Sequence, residues 1–165
     1  MKQYKTILFS LGVIGIFLAI LVFATRGPKN TQANINGAAS PLTATEATYD
    51  FGTVSMAAGN VSHRFVVKNS GAEPVTVRRI STSCMCTTAT LDNNGERSGP
   101  FGMPGHSALP DISQVIAPGQ QAFLDVVFDP AAHGPAGVGR ISRAVTVQDD
   151  QGRVLQVGFQ AVVTP

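Results

Sequence analysis

The stretch VSHRFVVKN, residues 61–69, decides the fold class of this chain, because apolar and polar side chains alternate along it. A period of two is typical of a β-strand with one buried and one solvent-facing side. The side predicted to face the core carries Val61, His63, Phe65 and Val67. Arg64 and Lys68 lie on the opposite side, so this segment predicts one strand of a half-buried sheet.

Similar segments follow on both sides of this stretch, and turn signals separate them. In two of them we expect an inward row of apolar side chains, namely Ala122, Leu124, Val126 and Phe128 in one, and Leu155, Val157, Phe159, Ala161 and Val163 in the other. The apolar parity shifts between Val77 and Ile80, which predicts a β-bulge. About seven short strands without helical periodicity predict an all-β protein, a seven-stranded Ig-like β-sandwich. We expect its last strand to pack opposite the 122–128 segment.

The N-terminal region has a different composition and predicts a membrane anchor. Residues 6–25 carry no charge, and 20 helical residues span roughly 30 Å, the thickness of a bilayer core. The sequence thus divides into an anchor with basic flanks (1–29), a flexible linker rich in small and polar residues (30–44), and the β-sandwich domain (45–165). The alternative for the apolar run is a signal peptide cleaved after Ala24.

This organisation predicts a single-pass protein of the cell membrane, held through residues 6–25, with its domain on the extracytoplasmic side. Cleavage after Ala24 would instead give a secreted protein. The net charge of +2 comes from four basic residues that flank the apolar run, namely Lys2, Lys5, Arg26 and Lys29. The remainder carries eight basic and ten acidic residues. A mildly acidic domain lacks the basic surface that nucleic-acid binding requires, so we expect no nucleic-acid partner.

Several motifs together resemble a bacterial family of Ig-like domains of unknown function, which is related to the ASH, hydin and major-sperm-protein-like domains. These motifs are YDFGTV (49–54), NSG (69–71), SCMCT (83–87) and the PG turn before a strand ending in FD (118–129). The resemblance covers Tyr49 to about Val163. It implies a seven-stranded sandwich, commonly exported and without established catalytic activity, and related domains are mostly protein-binding or scaffolding modules. The chain departs from the family pattern at Met85, where Gly is usual, and in an apparently longer segment at 92–113.

Cys84 and Cys86, the two cysteines of the chain, are the most informative residues for function. A disulfide between residues two apart closes a strained ring and is a poor structural staple. Three interpretations stay open, namely small buried hydrophobic side chains, a metal site, and a redox-active or intermolecular pair. In regular β-geometry both thiols point to one face and Met85 to the other, so the pair could chelate one ion.

The segment FGMPGH, residues 101–106, supplies possible further ligands, Met103 and His106. Thiolate, thioether and imidazole together favour Cu(I), whereas Zn(II) would need a fourth N or S ligand beside Cys84, Cys86 and His106. The predicted metal site therefore comprises Cys84, Cys86, Met103 and His106. His63 is predicted to be a buried structural histidine. We assign no role to His133, which falls in a predicted loop tip.

Catalytic patterns are lacking, and we expect this protein not to be an enzyme. The sequence shows neither a nucleophile elbow nor a Gly-rich phosphate loop opening a helix. Asp149 and Asp150 are expected to be solvated in a turn. Two functions follow as expectations. The first is a membrane-anchored extracytoplasmic module that binds a protein partner, and the second is an extracytoplasmic protein that binds a soft metal ion, Cu(I) before Zn(II).

Overall fold

The structure is a computed structural model that describes residues 40–107 and 110–165, and it is all-β. Two five-stranded sheets contain the ten strands of this part of the chain, and two short 3₁₀ turns lie at Met56–Ala58 and Gly134–Gly137. None of the helical segments within these residues is long and apolar enough to cross a membrane. The predicted anchor and residues 30–39 of the predicted linker lie outside the described residues.

The strands follow one another in chain order as β1 (Leu42–Ala44), β2 (Thr48–Ser55), β3 (Val61–Asn69), β4 (Val75–Thr82), β5 (Thr87–Asn93), β6 (Glu96–Phe101), β7 (Gln114–Ile116), β8 (Gln121–Phe128), β9 (Gly139–Asp149) and β10 (Val154–Thr164). The first sheet has the order β1-β3-β8-β5-β6, and the second has the order β2-β10-β9-β4-β7. All neighbouring strands are antiparallel except β2 and β10, which run parallel.

The all-β sandwich is confirmed, but the predicted count of seven strands was wrong. Strands β1 and β7 have only three residues each, which is too short to show an alternating pattern. The apparently longer segment 92–113 contains the end of β5 and all of β6. Asn94 and Gly95 connect these two strands with φ angles of 56° and 90°, the left-handed conformation that a tight hairpin turn requires.

The core lies between the two sheets and follows the predicted alternation. Leu124 and Val126 of β8 are fully buried, and Val157 and Phe159 of β10 are 1% exposed. The rings of Phe128 and Phe159 lie 5.2 Å apart across the sandwich. The predicted packing of the last strand opposite the 122–128 segment is therefore confirmed, with Leu155 only half-buried.

Asn69, the first residue of the NSG motif, holds together the chain reversals at one end of the sandwich. Its side-chain amide donates hydrogen bonds to the carbonyl oxygens of Glu73 (2.8 Å) and Ile116 (2.9 Å), and its Oδ1 accepts one from Gly71 N (2.9 Å). A Cβ on Gly71 would lie 2.8 Å from Cβ of Pro41, so only glycine fits there without displacement. The Asn and the Gly of the NSG motif are therefore explained by their contacts in this turn.

Two further sequence-based expectations needed correction. The predicted linker extends to residue 44, yet Leu42 belongs to β1, pairs with Asn69 and is 2% exposed, so the sheet begins at Leu42. Asp149 is buried, not solvated, because its carboxylate closes the β9–β10 turn. It accepts hydrogen bonds from Gln151 N (2.9 Å), Arg153 N (2.8 Å) and Arg153 Nε (2.6 Å). The expected bulge is confirmed by a register shift between Val77 and Arg79.

Candidate metal site

The two cysteines lie in a tight turn that carries the chain from one sheet to the other. This turn, residues 83–86, follows β4 of the second sheet and precedes β5 of the first. Thr87 N donates to the carbonyl oxygen of Cys84 (3.2 Å), which closes the turn. Ser83 N donates to the carbonyl oxygen of Ala144 (2.9 Å), and Ala144 N donates to Ser83 Oγ (2.9 Å). This pair of bonds fixes the turn against β9.

Both thiols point into the protein and the methionine between them points out. Cys84 is 8% exposed, Cys86 is 3% exposed and Met85 is 51% exposed. Cys86 N donates to Cys84 Sγ at 3.4 Å, so the turn folds the backbone of one cysteine onto the sulfur of the other. Both cysteines are free thiols. The expectation that they share one side while Met85 takes the other is confirmed.

His133 completes the cluster. It lies in the loop after β8, where Asp129 N donates to the carbonyl oxygen of Cys86 (2.9 Å) and joins this loop to the cysteine turn. The His133 Nε2 atom is 3.1 Å from Cys84 Sγ. Cys84 Sγ, Cys86 Sγ and one ring nitrogen of His133 all lie within 4.8 Å of one another. His133 is exposed, so the cluster is reached from solvent at this side chain.

The two thiols differ in acidity because their surroundings differ. Burial by itself raises the pKa of Cys84, but hydrogen bonds with Cys86 and His133 outweigh it and lower that pKa to about 7. Burial raises the pKa of Cys86, and the hydrogen bond with Cys84 raises it further. Arg143 on β9 opposes this rise by donating its Nε–H to Cys86 Sγ at 3.3 Å. At neutral pH the first proton therefore leaves Cys84.

The sequence pointed to Met103 and His106 as additional ligands, and the structure brings His133 to the thiols. His106 is exposed in a turn in which its backbone N–H donates to the carbonyl oxygen of Met103 (3.1 Å). Its ring nitrogens are not among the donor atoms that cluster with the two thiols. A backbone hydrogen bond from Thr82 N to the carbonyl oxygen of Gly102 (3.1 Å) connects this segment to the end of β4, just before the cysteine turn.

Sequence reasoning missed His133 because nothing in its local pattern distinguishes it from an ordinary loop residue. The signal lies in the register of two distant strands. Phe128 pairs with Thr87, so the loop that follows β8 must lie beside the turn that precedes β5. From that one pairing, residues 129–133 could have been predicted to lie beside the cysteines.

The arrangement has the chemistry of a soft-metal site. Two thiolates and one imidazole are ligands that Cu(I) and Zn(II) accept, whereas Mg²⁺ and Ca²⁺ prefer oxygen. Metal–sulfur bonds of about 2.3 Å and metal–nitrogen bonds of about 2.0 Å place such ligands roughly 3.5–4 Å apart around one ion. Donor atoms that already lie within 4.8 Å of one another need only small movements to reach that geometry.

Comparison with known proteins agrees with this fold and assigns no activity. Residues 42–100, which include the cysteine turn, match the DUF1573 family of proteins of unknown function. None of the curated proteins is detectably similar in sequence.

Among solved structures, a protein of unknown function from Porphyromonas gingivalis superposes with a TM-score of 0.54 at 16% identity, over 78% of this chain and 51% of that one. The secreted serine protease VesC of Vibrio cholerae gives a TM-score of 0.47 at 11% identity, over 75% of this chain and 24% of that one. The ASH/PapD-like domain 7 of human CEP192 gives 0.45 at 11% identity, over 76% and 87%. This chain thus spans about half of the Porphyromonas protein, and that likeness concerns the fold alone.

Proposed function

We propose that this protein is a membrane-anchored, extracytoplasmic Ig-like module that binds one soft metal ion, Cu(I) before Zn(II), through Cys84, Cys86 and His133. The observation that carries the proposal is the convergence of three soft donor atoms, all within 4.8 Å of one another, from two separate segments of the chain. One segment is the turn between β4 and β5, and the other is the loop after β8.

The number and type of ligands favour Cu(I). Thiolates are the protein ligands that bind Cu(I) most readily, and structural Zn(II) sites almost always use four N or S ligands. With three ligands from this cluster, Zn(II) would keep a fourth position for water. The lowered pKa of Cys84 supports either ion, because a thiol must lose its proton before it binds a metal.

The Cys84–His133 contact is also the geometry of an activated cysteine nucleophile, and we propose binding over catalysis for a specific reason. A nucleophile needs one thiol and one base, which leaves Cys86 without a task. In a metal site Cys86 is a ligand, and its contact with Arg143 at 3.3 Å stabilises the thiolate form. The second thiol therefore favours a metal over a substrate.

The proposed location agrees with this chemistry. The apolar run of residues 6–25 and its basic flanks support a membrane anchor with the domain outside the cytoplasm. Thiols in an oxidising compartment are prone to oxidation, and a disulfide within the Cys84–Cys86 pair would be strained. A bound ion would protect both sulfurs.

The test is a competition titration of the full chain in detergent, reduced and free of oxygen, in which a chromogenic chelator competes for Cu(I). We expect one ion per chain, and we expect the double substitution Cys84→Ser with Cys86→Ser to abolish binding. Met85→Leu serves as a matched control on the same turn, because its exposed side chain points away from the thiols. A wild-type chain that cannot compete for Cu(I) or Zn(II) even at micromolar affinity would overturn the proposal.

A protein partner is the second candidate, and the edge of the second sheet favours it. Strand β2 has eight residues and pairs only with β10 among the described strands, so its other edge offers free backbone groups. The mildly acidic domain favours a protein over nucleic acid as that partner. A photo-crosslinking residue at exposed Thr53 in β2 should then give a discrete adduct in cells. The same residue at exposed Arg79, on an inner strand, should not, and equal adducts at both positions would argue against an edge partner.

A further inference from the structure

We infer, on the basis of the proposed metal site, that Arg143 makes this site selective for a monovalent soft ion over a divalent one. Arg143 does not bind the metal in this inference. It acts through its fixed positive charge beside one of the ligands, and the favoured class of ion is Cu(I) and its analogue Ag(I).

Two hydrogen bonds hold the guanidinium of Arg143 beside the site. Its Nε donates to Cys86 Sγ at 3.3 Å, and its Nη1 donates to the carbonyl oxygen of Ser142 at 2.8 Å. The next residue, Ala144, forms the two hydrogen bonds with Ser83 that fix the cysteine turn against β9. The guanidinium and the thiols are thus tied to the same short piece of β9, which keeps the charge next to the site.

The charges of the three ligands and of Arg143 determine which ion this site favours. Two thiolates and one neutral imidazole contribute a charge of −2, and Arg143 contributes +1. A monovalent ion makes the assembly of ligands, ion and Arg143 neutral, whereas a divalent ion leaves it with one uncompensated positive charge. In a largely buried site an uncompensated charge is costly. The guanidinium also repels a divalent ion twice as strongly as a monovalent one.

The size of the effect follows from Coulomb's law. A guanidinium on a ligating sulfur lies about 5 Å from the ion, and at an effective dielectric constant of about 20 one additional unit of charge changes affinity by roughly a hundredfold. Solvent at the half-exposed Arg143 reduces this to roughly tenfold or somewhat more. Stabilisation of the thiolates by Arg143 is common to both ions and cancels in the ratio of their affinities.

The experiment measures that ratio. Dissociation constants for Cu(I) and Zn(II) are determined by chelator competition on the full reduced chain, for the wild type, Arg143→Gln and Arg143→Lys. We expect Arg143→Gln to lower the preference for Cu(I) over Zn(II) by about tenfold or more, and Arg143→Lys to keep most of it. Arg140→Gln is the matched control, because it removes the same charge from an exposed position on the same strand.

The outcomes separate this inference from the proposed function. If the wild type binds one ion per chain but the ratio in Arg143→Gln stays within twofold of the wild-type ratio, the selectivity is overturned and the metal site stands. An equal change in Arg140→Gln would also overturn it, since the effect would then be one of overall charge. If the wild type binds neither ion, both ideas fail. Circular dichroism of each variant shows that the sandwich is intact.

Discussion

His133 Nε2 lies 3.1 Å from Cys84 Sγ, although 49 residues separate the two in the chain. We therefore expect His133→Asn to weaken Cu(I) binding by at least about tenfold, because it removes one of three ligands. The measurement is the chelator competition described above. His106→Asn and Met103→Ala are controls and should leave the affinity unchanged. A larger loss in His106→Asn than in His133→Asn would restore the ligand set suggested by the sequence.

The two thiols should react with an alkylating agent over different pH ranges. The pKa of Cys84 is lowered from an ordinary 9.0 to about 7, so its thiolate forms as the pH rises through about 7. The pKa of Cys86 is raised above 9.0, and its reaction should begin at higher pH. Rates of iodoacetamide modification of the metal-free protein, resolved by mass spectrometry, check this order.

The same measurement tests the contact with His133. In His133→Asn the pH profile of Cys84 should move upward, because a hydrogen bond that lowers its pKa is lost. In urea both thiols should share one profile near the ordinary value. Identical profiles in the folded protein would contradict the unequal surroundings of the two sulfurs.

Phe159 is a central stabilising residue of the sandwich. It is 1% exposed and contacts the rings of Phe128 and Phe51, at centroid distances of 5.2 and 5.3 Å. Phe159→Ala should lower the free energy of unfolding by about 3–5 kcal/mol, measured by urea denaturation. Leu155→Ala on the same strand should cost less because Leu155 is only half-buried. A loss below about 1 kcal/mol for Phe159→Ala would mean that the cavity it leaves collapses.

Asn69 should matter for stability and not for metal binding. Asn69→Ala leaves two carbonyl oxygens and the N–H of Gly71 without their side-chain partner, and should cost about 1–3 kcal/mol. Asn60→Ala, in an exposed turn, is the matched control and should stay within about 0.5 kcal/mol. Equal losses in both variants would show that the buried hydrogen bonds are not responsible.

The proposed anchor at residues 6–25 predicts an exposed domain on cells. Protease added to intact spheroplasts should digest the sandwich domain, because the apolar run would hold it on the outer side of the membrane. A cytoplasmic marker protein in the same sample should stay intact. Full protection of the domain until the cells are lysed would place it in the cytoplasm.

The sequence predicted those parts of the fold that depend on a local period. Alternation identified the buried sides of β3, β8 and β10, and a parity shift identified the bulge between Val77 and Arg79. Strands β1 and β7 were not predicted because three residues are too few to show a period, and their pairing is set by neighbours far away in the chain. The burial of Asp149 was not predicted because it comes from the turn closed by Arg153.

The site was predictable only in part, for the same reason. The two cysteines stand out in the sequence, and the side to which their thiols point was expected from strand spacing, although a turn and not a regular strand places them there. The contacts with His133 and Arg143 depend on strand register, since Phe128 pairs with Thr87 on one side and Ser83 bonds to Ala144 on the other. Local sequence contains neither pairing, so the candidate ligand Met103 and the candidate ligand His106 were chosen for chemistry and nearness along the chain.

Because the cysteine turn crosses from one sheet to the other, an ion bound there would also affect the stability of the sandwich. An ion held by Cys84, Cys86 and His133 would link the turn between β4 and β5 to the loop after β8. Unfolding would separate His133 from the two cysteines, so the ion would bind the native chain more tightly than the unfolded one. Each tenfold rise in free ion above its dissociation constant would then add up to about 1.4 kcal/mol to the free energy of unfolding, less whatever the unfolded Cys84–Cys86 pair retains of the ion. The resistance of the sandwich to heat and to proteases would therefore rise with the concentration of free metal around it.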